Sequence, residues 1–300
     1  MSVSIVIPTY NRIDTLRRLL PGYLQQPGLS ELLIVDDGSR EPVTLERLGL
    51  GDDSIVRIVR NSRSLGLPGA RNVGVEASRA AFVLFGEDDV QLSEGHVEAL
   101  LSERSRLGAD LITGRLVQQL SDESMDAAFR RAEASGAPLF PQHLMTVDTS
   151  VIREATEVPC SHAIMLAPRE LLSQFRFSTR IGGPSFMRED QEMQLCLRRH
   201  GFKLWVTPEA RALHLAKATT ASGGTRGYGS LAVQLASGSV NAWQVLREYH
   251  DELAPFFPGM TADEMVGRAT RSYLGLETKN FLRARLPLFD RAVRAIRGVQ

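Results

Sequence analysis

The stretch Phe82-Val83-Leu84-Phe85-Gly86-Glu87-Asp88-Asp89 places three consecutive carboxylates after a run of four apolar residues and a glycine. A short apolar run of this kind predicts a strand that is buried on both faces of a sheet. The carboxylates cannot follow it into the core, because an unpaired buried charge is costly. We therefore expect them at the mouth of the sheet, where open α/β folds bind ligands. Hard oxygen ligands there favour Mg²⁺ or Mn²⁺ carrying a diphosphate, and the alternative is a solvated acidic turn.

The first half of the chain alternates strand-like and helix-like segments around this stretch. Leucines at helical spacing predict a helix over Asp14–Gln26, and a glycine-opened helix follows at Gly69–Ser78. This alternation is typical of parallel βαβ units, so we expect an α/β fold with a mostly parallel central sheet and helices on both faces. The other predicted elements are strands at Ser4–Ile7, Glu31–Val35, Ile55–Val59, Phe82–Phe85 and Asp110–Leu116, and a helix at Glu94–Leu107.

Polar and glycine-bearing clusters follow the ends of these strands, at Thr9–Arg12, Asp36–Ser39, Asn61–Gly69 and Gly86–Asp89. Because the carboxyl ends of parallel strands meet at one edge of a sheet, we expect the clusters to converge there. Their grouping predicts a ligand site that is spread over several loops.

The second half has a less regular pattern. Gly136–Pro159 shows only weak periodicity, and Thr219–Gly229, rich in Thr, Ser and Gly, predicts a mobile loop. From Leu231 onward the pattern is mostly helical. The remaining predictions are helices at Ser121–Ala134, Pro168–Phe175 and Arg188–Gly201, and short strands at Leu204–Val206 and Arg211–Leu215.

The composition of the 300 residues, 43% hydrophobic and 23% charged, is that of an ordinary globular enzyme. Basic and acidic residues number 35 each, so no general attraction to nucleic acid or to an anionic membrane follows. The cysteines Cys160 and Cys196 form no metal or redox motif, and without a secretory signal we expect reduced thiols in a cytoplasmic protein. No apolar run approaches the ~20 residues that span a bilayer.

Two of the polar clusters carry residues suited to a nucleotide. Asp36 and Asp37 end a strand, where a carboxylate can bind ribose hydroxyls or a base N–H, or can instead cap a turn. Gly69 and Arg71 lie at a helix start that favours phosphate, and the arginine suits a sugar or a diphosphate. The chain has neither Gly-x-Gly-x-x-Gly nor a Walker-type Gly-Lys-Ser/Thr, which argues against dehydrogenases and P-loop NTPases.

Further candidates lie in the second half. Glu189 and Asp190 begin a predicted helix, where acidic residues satisfy the helix dipole or, after the Gly182–Ser185 loop, face a cleft. His214 follows a short strand and is interpreted either as a packed histidine or as a ligand.

Taken in order, these segments resemble family 2 glycosyltransferases of the GT-A fold, over roughly residues 3–215. Each match is unspecific alone, whereas the ordered set is specific. The matching segments are Ser4–Arg12, Leu33–Ser39, Gly69–Gly74, Phe85–Asp89, Arg188–Asp190 with Leu195–Gly201, and Pro208–His214.

The resemblance implies a Rossmann-like GT-A domain followed by a helical C-terminal region. It implies an enzyme that transfers a sugar from a nucleoside-diphosphate sugar to an acceptor hydroxyl with inversion. Asp190 would be the catalytic base, and Glu189 would orient the loop or an acceptor hydroxyl. Glu87, Asp89 and His214 would hold Mn²⁺ or Mg²⁺. The implied donor-binding residues are Pro8, Thr9, Tyr10, Arg12, Asp36, Asp37, Gly69, Arg71 and Asp88.

Two positions depart from the family pattern. Glu87 stands where the family's metal motif begins with Asp, so its longer side chain would shift the cation or leave ligation mainly to Asp89. Arg188 replaces the small residue that is common before the Glu-Asp pair, and it would crowd or orient that loop.

The resemblance also sets the expected partners. UDP-sugars are the commonest donors in the family, with dTDP- and GDP-sugars as alternatives, and the acceptor is a glycan, a lipid-linked or a small molecule in glycan, polysaccharide or glycoconjugate biosynthesis. Nucleic acid is not expected, and the oligomeric state has no signature. We divide the chain into a donor-binding half at 1–116, an acceptor-binding and catalytic half at 117–225, and a helical extension at 226–300.

The last segment, 268–300, is basic and amphipathic. It predicts either peripheral contact with an anionic membrane at its inner face or a helix that packs its apolar side on the catalytic domain.

Two other classes stay open at this stage. A sugar-phosphate nucleotidyltransferase would share the sheet and the carboxylates, but it would need a glycine-rich basic loop where this chain has Pro8–Arg12. A catalytically silent nucleotide-sugar-binding module would be expected to lack Asp190 or Asp89, and both are present.

Overall fold

The fold is taken from a computed structural model of the chain, in which residues 1–51, 55–120, 122–141, 145–181, 188–216 and 231–285 are described. The described chain is built around one mixed sheet of nine strands. The strands are β1 (Val3–Thr9), β2 (Leu29–Asp36), β3 (Val56–Arg60), β4 (Phe82–Phe85), β5 (Val90–Leu92), β6 (Leu111–Gln118), β7 (Thr156–Val158), β8 (Met165–Pro168) and β9 (Leu204–His214).

Helices connect these strands and extend the chain beyond them. The helices are α1 (Ile13–Leu24), α2 (Leu45–Leu48), α3 (Gly66–Ala77), α4 (His96–Leu107), α5 (Met125–Ala134), α6 (Arg169–Gln174), α7 (Glu189–Arg199), α8 (Leu231–Glu248), α9 (His250–Leu253) and α10 (Ala262–Arg285), with a 3₁₀ turn at Thr149–Val151.

The sheet order is β3-β2-β1-β4-β8-β6-β9-β5, and β7 pairs with β9. Strands β3, β2, β1 and β4 are mutually parallel, and β6 and β9 run in the same direction. Strands β8, β5 and β7 are antiparallel to their neighbours. The predicted mostly parallel sheet is therefore confirmed, although three reversed strands were missed, because each has only three or four residues and little periodicity to detect.

Both faces of the sheet are covered, as predicted. On β1, Ile5 and Ile7 pack with Leu16 and Leu20 of α1, since alternate residues of a strand point to the same face. Val6 points the opposite way and belongs to a second cluster with residues of α3, α6 and α7. This double cover explains why the central strands read as continuous apolar runs.

The two short strands predicted at Leu204–Val206 and Arg211–Leu215 are in fact one strand, β9. Its pairing with β6 shifts between Thr113 and Arg115, so residues 207–210 bulge opposite Gly114. A bulge of this kind tolerates Pro208, which cannot donate a ladder hydrogen bond. Because of this proline, the sequence pattern predicted two strands where there is one.

The C-terminal helices pack on the α/β domain. Val245, Leu246 and Tyr249 of α8 and its end share a buried cluster with Leu195 of α7 and Met265 of α10. The predicted helical character from Leu231 is thus confirmed up to Arg285. The predicted loop at Thr219–Gly229 and the end of the basic segment, 286–300, lie outside the described residues.

Within the described part of the chain, no helix combines the length and the apolar character that crossing a bilayer requires.

Candidate active site

The acidic turn after β4 is held in place by α1. The Tyr23 hydroxyl lies 3.0 Å from the Glu87 carbonyl and 2.9 Å from the Val90 carbonyl, and it accepts the Glu87 N–H at 3.2 Å. Gly86 is needed here, because a Cβ at this position would lie 2.9 Å from the Tyr23 ring. A single buried hydroxyl therefore fixes the backbone that carries the three carboxylates.

Arg12 and Thr9, at the end of β1, bind two of these carboxylates. The Arg12 guanidinium donates to Asp88 at 2.8 Å and to Asp89 at 2.7 Å, and the Thr9 hydroxyl donates to Asp88 at 2.8 Å. Burial, together with the charge of Asp89, raises the pKa of Asp88 to about 7 against the influence of Arg12. Asp88 and Thr9, both predicted to bind the donor, are thus buried and bound to each other.

Glu87, Asp89 and His214 form a cluster whose ligand atoms all lie within 4.8 Å of one another. The pairing of β5 with β9 sets Val90 opposite His214, directly after the acidic turn, and Leu215 donates its N–H to the Asp89 carbonyl at 2.9 Å. Two carboxylates and one imidazole are a donor set that suits Mn²⁺, and the carboxylates suit Mg²⁺. The predicted ligands thus converge, and their chemistry fits a divalent cation.

The charges in this cluster influence one another. Burial favours the neutral form of Asp89, but His214 and Arg12 outweigh it and lower its pKa to about 2. Burial likewise opposes the charge on His214, yet Asp89 and Glu87 raise the pKa of its imidazole. The His214 Nε2 atom lies 3.3 Å from Asp89 Oδ1, so this nitrogen faces the carboxylates.

Arg71 is predicted to bind a sugar or a diphosphate, and in the structure its side chain has no exposed surface. Its guanidinium donates to Glu189 at 2.7 Å and to Glu87 at 3.0 Å, and it lies 5.3 Å from the centre of the Phe177 ring. Arg71 therefore connects the acidic turn to the start of α7. Burial and the neighbouring charge of Asp190 raise the pKa of Glu189 to about 8, with Arg71 acting against them.

Asp190 is half-buried in the first turn of α7, and its Oδ1 atom accepts the Gln191 N–H at 2.8 Å. Burial raises the pKa of this carboxyl, and Arg71 acts against the rise. The preceding Arg188 has a φ of 71°, a strained left-handed conformation for a residue other than glycine. Its side chain donates to Gln191 at 2.7 Å, so Arg188 orients the start of the helix.

A cavity of about 460 Å³ opens beside Asp190. Asp190 and His214 both line it, so the predicted base and a predicted metal ligand border the same space. Its other polar walls come from the region between β6 and α7, and they include Gln118, Arg131, Asp148, His162 and Gln191.

The carboxylates of Asp36 and Asp37 accept hydrogen bonds from backbone and side-chain groups of the protein itself. Asp36 is fully buried, accepts the N–H groups of Ser39 and Val43, and pairs with Arg60. Burial alone would raise the pKa of Asp36, but the hydrogen bonds from Ser39, Val43 and Arg60 lower it. Asp37 accepts the N–H groups at the start of α3 and the side chains of Asn61 and Ser64. In this structure both carboxylates therefore cap turns or a helix start, which is the alternative to binding ribose hydroxyls or a base N–H.

A second cavity, also of about 460 Å³, lies at the ends of β1 and β2. Tyr10 and Arg12 line it, together with residues 39–41. Pro8 is buried within β1, and Gly69 lies in the first turn of α3, where a Cβ would be 2.6 Å from that of Leu65. Of the predicted donor-binding residues, Tyr10 and Arg12 are thus the ones that border this cavity.

The sequence analysis missed two side chains that hold the site. Tyr23 lies on the apolar face of α1 and was not predicted to hold the site, although a buried tyrosine hydroxyl needs a partner, which is the signal that could have found it. Gln118, which binds His214, ends β6 and has no sequence signal of its own.

The molecule is similar to several solved structures. S. aureus TarS 1-349 in complex with UDP-GlcNAc aligns with a TM-score of 0.56 at 14% identity, covering 97% of this chain and 83% of that one. GalNAc-T7 with UDP, GalNAc and Mn²⁺ aligns with a TM-score of 0.56 at 15% identity, covering 91% and 54%. The fold is therefore that of the GT-A glycosyltransferases.

The sequence matches the family described as "Glycosyl transferase family 2" over residues 4–167, more than half of the chain. The protein belongs to that family. A pre-mycofactocin glycosyltransferase of Mycobacterium tuberculosis (strain ATCC 25618 / H37Rv) is 27% identical over 215 residues, 71% of this chain and 42% of that protein. The poly(ribitol-phosphate) beta-N-acetylglucosaminyltransferase TarP of Staphylococcus aureus (strain N315) is 31% identical over 119 residues, 38% of this chain and 36% of that protein. The chain thus spans less than half the length of either relative.

Proposed function

We propose that the protein is a glycosyltransferase that transfers a sugar from a nucleoside-diphosphate sugar, most simply a UDP-sugar, to an acceptor hydroxyl with inversion. The main support for this proposal is that Asp190 and His214 line one cavity, while His214 also belongs to the cluster with Glu87 and Asp89. A base and a cation site that share one space are what displacement of a nucleoside diphosphate requires. Family membership and solved neighbours with UDP and UDP-GlcNAc support the donor class.

Each residue of the site has a separate role in the proposed reaction. Asp190 takes the proton of the acceptor hydroxyl, and its raised pKa favours that transfer near neutral pH. Glu189 holds the start of α7 through Arg71 rather than moving a proton. Glu87, Asp89 and His214 would hold Mn²⁺ or Mg²⁺, which when bound neutralises charge on the leaving diphosphate as a Lewis acid.

The two cavities suggest where the substrates bind. We assign the base and ribose of the donor to the cavity at Tyr10 and Arg12, in the half formed by residues 1–116. We assign the acceptor to the cavity beside Asp190, in the half formed by residues 117–225. We treat these halves as functional units of one domain, a division supported by the position of their boundary within β6. A polar wall suits a hydroxyl-rich acceptor, in glycan, polysaccharide or glycoconjugate synthesis.

The first test is the release of nucleoside diphosphate from UDP-, dTDP- and GDP-sugars, with Mn²⁺, Mg²⁺ or chelator. We expect slow, cation-dependent hydrolysis of one donor, and we expect Asp190→Asn to fold normally while losing at least ~10²-fold in rate. Asp126→Asn is the matched control, because Asp126 is an exposed carboxylate paired with Arg211 at the surface. Donor binding without turnover on any acceptor would instead indicate a silent binding module. Near-normal turnover by Asp190→Asn would overturn the assignment of the base.

We further propose a cytoplasmic protein whose basic segment 268–300 contacts the inner face of an anionic membrane. Replacing Arg283, Arg285, Arg291, Arg294 and Arg297 by glutamine removes the charge without shortening the chain. The wild type should float with anionic liposomes in a density gradient, and the neutralised variant should not. Equal flotation of the two proteins would reject membrane contact through these arginines.

A further inference from the structure

The imidazole of His214 is contacted at both ring nitrogens. Its Nδ1 atom lies 2.7 Å from Gln118 Oε1, and its Nε2 atom lies 3.3 Å from Asp89 Oδ1. The sheet itself produces this arrangement, since Gln118 and His214 are register partners at the ends of β6 and β9. His214 is thus held between a strand neighbour and the acidic turn.

The orientation of the Gln118 amide is determined by its second set of contacts. Gln118 Nε2 lies 3.1 Å from the His214 carbonyl oxygen and 3.2 Å from the Leu215 carbonyl oxygen. Carbonyl oxygens only accept, so the nitrogen of the amide must face them, and the oxygen must face the ring. Exchanging the two amide atoms would set the Gln118 oxygen against two carbonyls.

This orientation decides which ring nitrogen carries the hydrogen when His214 is neutral. The Gln118 oxygen can only accept, so Nδ1 donates to it at 2.7 Å. Asp89 Oδ1 is also an acceptor, at 3.3 Å from Nε2, and a cation bound to Asp89 would take the place of a hydrogen there, which leaves the lone pair of the neutral ring on Nε2. Nε2 is the nitrogen that faces Asp89. A histidine that binds a metal commonly donates its other ring N–H to a carbonyl or carboxylate oxygen in this way.

We propose that Gln118 is a positioning residue: it holds the neutral His214 ring with the hydrogen on Nδ1, so that Nε2 is directed at the divalent cation of the Glu87–Asp89–His214 cluster. This inference rests on the proposed function, because it presupposes that the cluster binds a cation. Loss of such an outer partner typically weakens metal affinity by about 10–100-fold.

The test compares Gln118→Met with the wild type. Methionine has similar length but no strong acceptor for Nδ1–H, and Gln118 is an exposed residue at a strand end, where the change should leave the fold intact. Gln91→Met is the matched control, because Gln91 is an exposed glutamine on the neighbouring strand β5. Mn²⁺ affinity is measured by titration calorimetry without any sugar donor. We expect Gln118→Met to bind Mn²⁺ about 10-fold or more weakly and Gln91→Met to bind it as the wild type does.

A spectroscopic readout separates a positioning role from general loosening of the strand end. Nitrogen-15 spectra of histidine-labelled protein with Mg²⁺ bound, recorded above the pH at which His214 titrates, report which ring nitrogen is protonated. His214→Gln identifies the signals. The wild type should show hydrogen on Nδ1, and Gln118→Met should show a mixture of both forms. A wild-type ring protonated on Nε2, or an unchanged pattern in Gln118→Met, would overturn the proposal.

Asp89→Asn distinguishes failure of this inference from failure of the proposed cation site. If the wild type binds Mn²⁺ and Asp89→Asn weakens it while Gln118→Met does not, only the role of Gln118 is rejected. If the wild type binds no Mn²⁺, or if Asp89→Asn binds it as the wild type does, the proposed cation site fails and the inference fails with it.

Discussion

Arg71 is a fully buried cation that donates to Glu87 and Glu189, residues on opposite sides of the site. A buried ion pair adds little stability by itself, because desolvation offsets the attraction. Removing one partner is a different matter, since it leaves the other charges buried and uncompensated. Arg71 is therefore required wherever Glu87 and Glu189 are kept, and the acidic turn and the start of α7 depend on the same guanidinium.

Arg71→Met should lower the free energy of unfolding by about 3–5 kcal/mol near neutral pH. Without the guanidinium, burial and the neighbouring Asp89 and Asp190 would raise the pKa of the Glu87 and Glu189 carboxyls further above their unfolded values. The deficit should therefore be largest at high pH and shrink as the pH falls and the carboxyls gain protons. Urea unfolding at several pH values measures this. Arg17→Met, which removes an exposed pair with Asp14, is the control and should change stability little. A deficit that does not depend on pH would contradict the explanation.

At the scale of elements, the crossing of β6 and β9 determines where the site's second half lies. The bulge at residues 207–210 lets β9 continue to His214, so that β5 can pair with it after the acidic turn. Gly114 makes the bulge sterically feasible, because a Cβ there would lie 2.4 Å from the Ala210 carbonyl oxygen. The nearest atom to this Cβ is a backbone atom, so no flexible side chain can move aside to make room for it.

Gly114→Ala should therefore lower the free energy of unfolding by about 1–3 kcal/mol or more, as overpacking in a core does. Gly22→Ala is the matched control, because Gly22 is inside α1 and a Cβ there would meet no atom of the described residues within 4 Å. That change should stabilise the protein by up to about 1 kcal/mol through helix propensity. Both are measured by urea denaturation. Equal stability of the two variants would contradict the close approach of β6 to β9.

At the scale of the whole molecule, we expect acid to lower the free energy of unfolding through a buried histidine outside the candidate site. His96 has no exposed surface, its Nδ1 atom donates to the Arg211 carbonyl at 3.0 Å, and its Nε2 atom has no hydrogen-bond partner among the described residues. Burial is the largest cause that lowers the pKa of His96, which falls from 6.5 to about 4. Protonation would place a charged N–H on Nε2 in the interior.

Between pH 6.5 and 4 the unfolded state then binds the His96 proton while the folded state does not. Stability contributed by the neutral ring is present above pH 6.5 and is lost as the pH falls through this window, by up to about 3 kcal/mol. His96→Asn keeps a donor for the Arg211 carbonyl and cannot titrate. Urea unfolding should show a shallower acid decline for His96→Asn than for the wild type. Parallel curves would mean that His96 titrates alike in both states.

Much of the fold and part of the site follow from local sequence. The runs that form β1, β2 and β4 are apolar throughout, and α1 has helical spacing, so these elements are predictable from periodicity. The convergence of four polar clusters followed from parallel topology, and the contacts of Thr9 with Asp88 and of Asp37 with Asn61 confirm it. The short reversed strands were not predictable, because three or four residues show no period.

The amino-acid sequence by itself determined the family, the central strands and the position of the acidic turn, because burial of apolar runs and the cost of burying charge act on neighbouring residues. The contacts between charged and polar side chains of the site depend on the tertiary structure. Arg71 and Glu189 are 118 residues apart, and Gln118 and His214 are brought together by strand register. Whether a polar side chain faces a ligand or another residue depends on such long-range pairing, which leaves no trace in local periodicity.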